Sequence, residues 1–156
     1  ELPKKNGSGQ VGIVPYRAYR TADGDLVVAA GNDALFRRLC QVIEEPALAD
    51  DPRFAGNPQR VRHADELYAV LEARFATRGN ADWMARLEAA GVPCAPVQSI
   101  DAMLRHPQTE ALGMLQSVPG SSIPLIGLPI SFDGERAVPR SAPPALDALG
   151  PQALFS

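Results

Sequence analysis

The sequence is poor in the residues that usually announce chemistry. It has 2 cysteines and 2 histidines in 156 residues. Cys40 and Cys94 form no C-x-x-C and have no Cys/His cluster around them, so neither a disulfide framework nor a zinc site is expected. They read as small buried residues of a reducing compartment, which points to a cytoplasmic location. His63 and His106 lack a ligand-type partner three or four residues away, so no metal is expected and each reads as a solvated or capping side chain. No apolar run approaches the roughly 20 residues of a membrane helix, and the start "ELPKKNGSGQ" has no signal-peptide core. Positive charge is in deficit: 15 Lys and Arg stand against 18 Asp and Glu, the net charge is −3 and the isoelectric point about 5.4. A general electrostatic grip on nucleic acid is therefore not expected, and neither is a membrane partner. No G-x-S-x-G, no phosphate-loop G-x-x-x-x-G-K-[ST] and no cysteine with a neighbouring histidine is present.

What remains is an ordinary globular composition, 46% hydrophobic and 21% charged, long enough for one domain with a real core. The chain opens on Glu1 in a polar stretch, which reads as a segment of something longer. Its 15 prolines concentrate late, in "RAVPRSAPPALDALGPQ", a composition suited to an arm or linker. The expected organisation is a glycine-rich leading loop over 1–12, a small domain over 13–135 and a proline-rich tail over 136–156.

Along the domain, "IVPYRAYRT" (13–21) predicts an edge-like strand, with Val14, Tyr16 and Ala18 on one side and Ile13, Pro15, Arg17 and Tyr19 on the other. "ADGD" is a turn and "LVVAA" (26–30) the returning strand of a hairpin. Asn32 then caps a helix whose apolar face is Leu35, Phe36, Leu39, Cys40 and Ile43, limited by Pro46. A turn-rich connector (50–58) precedes a helix over 63–77, with Leu67, Leu71 and Phe75 in register. Asn80 caps the next helix, carrying Trp83, Met84 and Leu87 and ending at Gly91. "VPCAPV" (92–97) is extended, and its prolines exclude a central strand. "SIDAMLRHPQTEALG" predicts one or two short helices broken at Pro107, with Ser99 as a cap. "MLQSVPG" and "IPLIGLPISFDG" supply the last strands, joined around Gly120. Strands at both ends and helices in the middle define an α+β domain with a small antiparallel sheet.

Two stretches invite a chemical reading. "NGSGQVGIVPY" contains a literal G-x-G-x-x-G at Gly7, Gly9 and Gly12. A dinucleotide site needs a buried strand before that motif and a helix starting on it. Here "ELPKK" precedes it and Pro15 follows where the helix should grow, so the motif is a loop leading into a strand. Asp33 is the second. It sits at a strand-to-helix turn, where functional groups gather, although helix capping alone accounts for it. The sequence pairs Glu44-Glu45 and Asp50-Asp51 point in different directions and form no shared-proton pair. No complete catalytic apparatus is present.

A resemblance takes the reading further. "IVPYRAYRTADGDLVVAAGNDALFRRLC", "LADDPRFAGNPQRVRHADEL", "AGVPCAPVQSIDAMLRHPQ" and "GLPISFDG", in that order and spacing over about residues 6 to 145, resemble the smaller domain of the family III CoA-transferases, the CaiB/BaiF type. The resemblance implies a parent with a large CoA-binding domain, a smaller α+β domain and two interlocked ring-like subunits in a homodimer. It implies that CoA moves between an acyl-CoA and a carboxylic acid through an aspartyl thioester, with the coenzyme A thioester as substrate and no tightly bound cofactor. The attacking aspartate lies in the large domain, so this chain holds no catalytic nucleophile and is expected to be inactive alone. "GSGQ" (Gly7, Ser8, Gly9, Gln10) matches the place of the mobile glycine run over the transferase active site, with Ser8 replacing a glycine. Asn32 and Asp33 become possible active-site neighbours. In the related 2-methylacyl-CoA racemases that turn resembles G-x-x-E-P, whereas "AAGNDALF" has the transferase-like form, and the racemase is the alternative. A non-enzymatic interaction module is the alternative from another class. The C-terminal stretch "PPALDALGPQALF" lacks the G-E-H-T-x-E-like segment of the family. A domain of this kind is expected to expose an apolar patch.

Overall fold

The computed structural model describes residues 7–144. The start of the leading loop and the end of the proline-rich tail, with its departure from the family pattern, lie outside the described residues. The chain divides into two compact units, 1–97 and 98–156.

The first unit is built on a three-stranded antiparallel sheet in the order β1-β2-β3, from β1 (Tyr16–Arg20), β2 (Asp25–Ala29) and β3 (Cys94–Pro96). The hairpin register pairs Tyr19 with Leu26 and Arg17 with Val28, and β3 adds Pro96 opposite Leu26 and Cys94 opposite Val28. Residues directly opposite share a face, so these six define the side turned to the helices, where Tyr19, Leu26 and Val28 are buried. The two proline-bearing strand candidates take the two edges, where a missing N–H costs the ladder nothing. The expected alternation does not reach back to residue 13. The strand begins at Tyr16, and Val14 is buried while Tyr16 is exposed.

Four helices supply the other layer: α1 (Asp33–Val42), α2 (Asn57–Arg62), α3 (Ala64–Phe75) and α4 (Asn80–Ala89), with a 3-10 turn at Pro46–Ala49. Phe36, Leu39 and Cys40 of α1, Leu67, Leu71 and Phe75 of α3, and Trp83 and Leu87 of α4 are buried in one core with Ile43, Phe54 and Val92. Tyr19 stacks on Phe75 with ring centroids 4.7 Å apart, and Trp83 meets Phe75 edge-on at 5.1 Å. The indole N–H of Trp83 donates to the Phe75 carbonyl at 2.9 Å. The Tyr19 hydroxyl finds no partner among the described residues, and burial pushes its pKa far above the ordinary phenol value.

Helix ends correct two expectations. α1 stops at Val42, before Pro46 can act, because Glu44 adopts a left-handed φ of 63°. Its N–H donates to Gln41 O at 3.1 Å and that of Glu45 to Cys40 O at 2.9 Å, the paired bonds of a Schellman cap without its usual glycine. Gly91 (φ 66°) closes α4 in the same way, as expected. Asn80, in contrast, is not the cap of α4. Gly79 holds that place, and the Asp23 carboxylate of the β1–β2 turn accepts the Asn80 N–H at 2.8 Å. The Asn80 side chain accepts from the Thr21 hydroxyl at 2.8 Å and donates to Asp25 O. The hairpin turn thus caps the helix from outside. The helix α2, which starts at the end of the expected connector 50–58 and fills the gap before the helix expected from 63, is also new, and its Pro58 suits a first helical turn.

The second unit contains α5 (Ile100–Leu104), capped by Ser99, and α6 (Pro107–Ala111), whose N-cap is His106 accepting from Gln108 N at 3.1 Å. Two separate hairpins follow, β4 (Leu115–Gln116) with β5 (Leu125–Ile126), and β6 (Ser131–Phe132) with β7 (Glu135–Arg136). The late strands therefore do not join the first sheet. The last turn is Asp133-Gly134, both at positive φ (51° and 85°), as a two-residue hairpin requires. Among the described residues the α+β class holds, as several small antiparallel sheets rather than one.

Candidate functional site

The glycine-rich loop lies along the outer edge of β1. The Ser8 hydroxyl accepts the Ala18 N–H at 3.1 Å, and Gln10 N donates to Tyr16 O at 3.0 Å. Gly12 takes a positive φ of 81° where the chain turns toward β1, a conformation open to glycine. No helix begins on the motif, which removes the dinucleotide reading. Gly7, Gly9 and Gln10 line a cleft of about 450 Å³ with Arg17, Asp65 and Tyr68. The Arg17 guanidinium lies 4.8 Å from the centre of the Tyr68 ring and pairs with Glu72 at 3.4 Å. Partial burial raises the Tyr68 pKa, against the pull of Arg17.

Asn32 and Asp33 stand elsewhere in the same unit. Asn32 is the N-cap of α1, its side chain accepting from Leu35 N at 2.8 Å. Asp33 follows in the first turn, where a carboxylate suits the positive end of the helix, and its side chain is 61% exposed. Both line a shallow depression of about 610 Å³ with Ile13, Tyr16, Gly31 and Pro93. The two groups of candidate residues are thus placed in different depressions, not in one pocket.

The residues that join them come from α2. Arg60 is fully buried. Its Nε donates to Val14 O at 2.7 Å, Nη1 to Phe54 O at 3.0 Å, and Nη2 to both Gly31 O and Asp33 Oδ1 at 2.9 Å. The guanidinium lies 4.6 Å from the centre of the Phe36 ring. One turn earlier, Asn57 accepts the Val14 N–H at 3.0 Å and donates to Gly12 O at 2.8 Å. Sequence reasoning missed both. No local signal marks either residue, because the partners that hold them lie outside α2.

Chemically, the polar groups of both depressions can orient a ligand by hydrogen bonding. Cys40 is buried and its thiol is pushed up to about 12 by desolvation. His63 is engaged by Glu66 at 2.9 Å. No group of three or more potential metal ligands occurs among the described residues, and no helix among them is long and apolar enough to cross a membrane.

The described residues form helices and small antiparallel sheets, an α+β fold. Residues 1–148 match the model of CoA-transferase family III, and the chain belongs to that family. It is 37% identical over 82% of its length to a succinate–glutarate CoA-transferase of Agrobacterium fabrum, and 34% identical over 96% to an acetyl-CoA:oxalate CoA-transferase of Acetobacter aceti. It spans 33% and 38% of the length of those two curated relatives. A crystal structure of a CaiB/BaiF family protein from Brucella suis superposes with a TM-score of 0.81 and 33% identity, covering 96% of this chain and 39% of that one.

Proposed function

We propose that the protein carrying this chain transfers CoA between an acyl-CoA and a small carboxylic acid, with dicarboxylates as the substrate class, and that this chain is its smaller domain. The observation that carries the reading is the family match over residues 1–148, with relatives named for CoA transfer between succinate and glutarate and from acetyl-CoA to oxalate. A carboxylate outside this chain attacks the acyl-CoA carbonyl and displaces the CoA thiolate, leaving a mixed anhydride. The thiolate then attacks the enzyme's carbonyl of that anhydride, releasing the donor acid and forming an aspartyl-CoA thioester. The acceptor carboxylate and the thiolate repeat the two steps in reverse, regenerating the enzyme carboxylate. Splitting the exchange in this way replaces one hard step with easier ones.

The role of this chain is to border that chemistry. Gly7, Ser8, Gly9 and Gln10 cover the reacting groups, and Asn32 and Asp33 flank them. The transferase is favoured over the racemase because a racemase needs two opposed acid/base groups. Here Asp33 is tied to Arg60 at 2.9 Å. The whole protein acts as an interlocked homodimer.

The test is mass-spectrometric detection of glutaryl-CoA when the whole protein is given succinyl-CoA and glutarate. The isolated 156 residues should give none. Exchange of the α-hydrogen of a 2-methylacyl-CoA for deuterium, without transfer to added acids, would sink the transferase reading and select the racemase.

A further inference from the structure

We propose that Asn57 and Arg60 form a latch that couples the glycine-rich loop to the Asn32–Asp33 turn, and that both are positioning residues. The inference rests on the transferase reading only for its consequence in catalysis. The latch itself rests on geometry.

Two side chains one helical turn apart take three backbone groups of the segment 12–14. Asn57 holds Gly12 O and Val14 N, and Arg60 holds Val14 O. The same guanidinium reaches Gly31 O and Asp33 Oδ1. Because the guanidinium is a rigid planar fork, the distance between Val14 O and Asp33 Oδ1 cannot change without breaking a bond. Two further contacts close the link. Ala30 N donates to Pro15 O at 3.0 Å, and the Ile13 side chain lies so close over Gly31 that an added Cβ there would fall 2.1 Å from Ile13 Cγ2.

The latch stops at Gly12. On its far side, residues 7–11 are attached to β1 through Ser8 and Gln10, both more exposed contacts than those of buried Arg60. Gly12 is therefore the pivot of the loop, and the Asp33 turn sets where that pivot stands. A disturbance at Asp33 should reach the loop through Arg60, although Asp33 lines a different depression.

The experiment is hydrogen–deuterium exchange of the whole protein, comparing wild type with Asp33→Ala and Asp33→Asn. Asp33→Ala should speed exchange in the peptide 11–18 by about threefold or more, a local opening, with peptide 83–90 in α4 unchanged. Asp33→Asn keeps an oxygen acceptor for Arg60 and should restore the wild-type rate. An unchanged 11–18 peptide in Asp33→Ala overturns the latch. So does a rise in both peptides together, which would be general destabilisation. In the transfer assay, Asn57→Ala should lower kcat about tenfold with KM for the acyl-CoA altered less than about threefold, because it misplaces groups rather than removing a binding contact. A rise in KM with kcat unchanged overturns the positioning role. If wild type transfers no CoA, the functional reading fails while the exchange data still decide the latch.

Discussion

Replacing Arg60 by methionine isolates what a buried cation contributes when most of its partners are carbonyls. Arg60→Met keeps a long, flexible, apolar stem in the same space but removes all five donors. Val14 O and Phe54 O then lose their side-chain donor inside the core. A buried polar atom left unsatisfied costs about 1–3 kcal/mol, so the two carbonyls together cost about 2–6 kcal/mol. Losing the guanidinium over Phe36 adds about 0.5–2 kcal/mol. Relief of the arginine's own desolvation offsets part of this, leaving a net loss of about 3–5 kcal/mol. Asp33→Asn is the contrasting variant. Asp33 is 61% exposed, so removing its charge should cost less than about 1 kcal/mol. Urea denaturation followed by the fluorescence of Trp83, the sole tryptophan, reports the first unit, where Trp83 is buried. With a slope of about 2 kcal/mol per molar, Arg60→Met should lower the midpoint by about 2 M and Asp33→Asn by less than about 0.5 M. Equal losses in the two variants would mean that Arg60 is held by its ion pair and would refute the carbonyl argument.

Two further outcomes follow from the same geometry. An added Cβ at Gly79 would meet Asp23 Oδ2 at 2.4 Å, so Gly79→Ala and Asp23→Ala both disturb the cap on Asn80 N. Each should cost about 1 kcal/mol in the urea assay, and the double variant clearly less than the sum. Strict additivity would show that Asp23 does not cap α4. The second concerns acid. Hydrogen bonding to Arg53 holds the Asp51 carboxyl below the usual carboxylate range, and His63 with Arg53 holds Glu66 below it. Groups depressed in the folded state contribute stability above the ordinary carboxylate pKa and lose it as pH falls through the folded value. The stability gap between wild type and Arg53→Gln should therefore be full at about pH 5 and close as the solution is acidified below the ordinary carboxylate pKa of about 4. A gap that widens in acid would reverse the assigned sign.

Much of the first unit was legible because apolar periodicity there agrees with turn chemistry. Leu67, Leu71 and Phe75 recur at helical spacing, and all three are buried. The Asp23-Gly24 turn, the Asn32 cap and the Gly91 stop stand where local propensity places them. The second unit resisted because its elements are short. Val118 is its sole buried hydrophobic among the described residues, while Ile123, Ile126, Leu128, Ile130 and Phe132 are each more than half exposed. Strands of two residues carry no alternation to read, and the Asp133-Gly134 hairpin was hidden in what looked like the end of a single strand.

The site was half legible, for a different reason. Asn32, Asp33 and the glycines could be singled out because each sits at a turn, and turn chemistry is local. Arg60 could not, because nothing within its own helix explains its burial. Its four acceptors come from Val14, Gly31, Asp33 and Phe54, and three of them lie 27 to 46 residues away. A charged side chain is almost never fully buried unless it is paired, and the partners here are mostly main-chain carbonyls, present at every position and marked by no residue type. Apolar burial leaves a period in the sequence; satisfaction of a buried guanidinium by distant carbonyls leaves none. The same property makes Arg60 useful as a coupling element. A side chain that gathers several remote segments at once fixes their relative positions, which no single turn or cap can do.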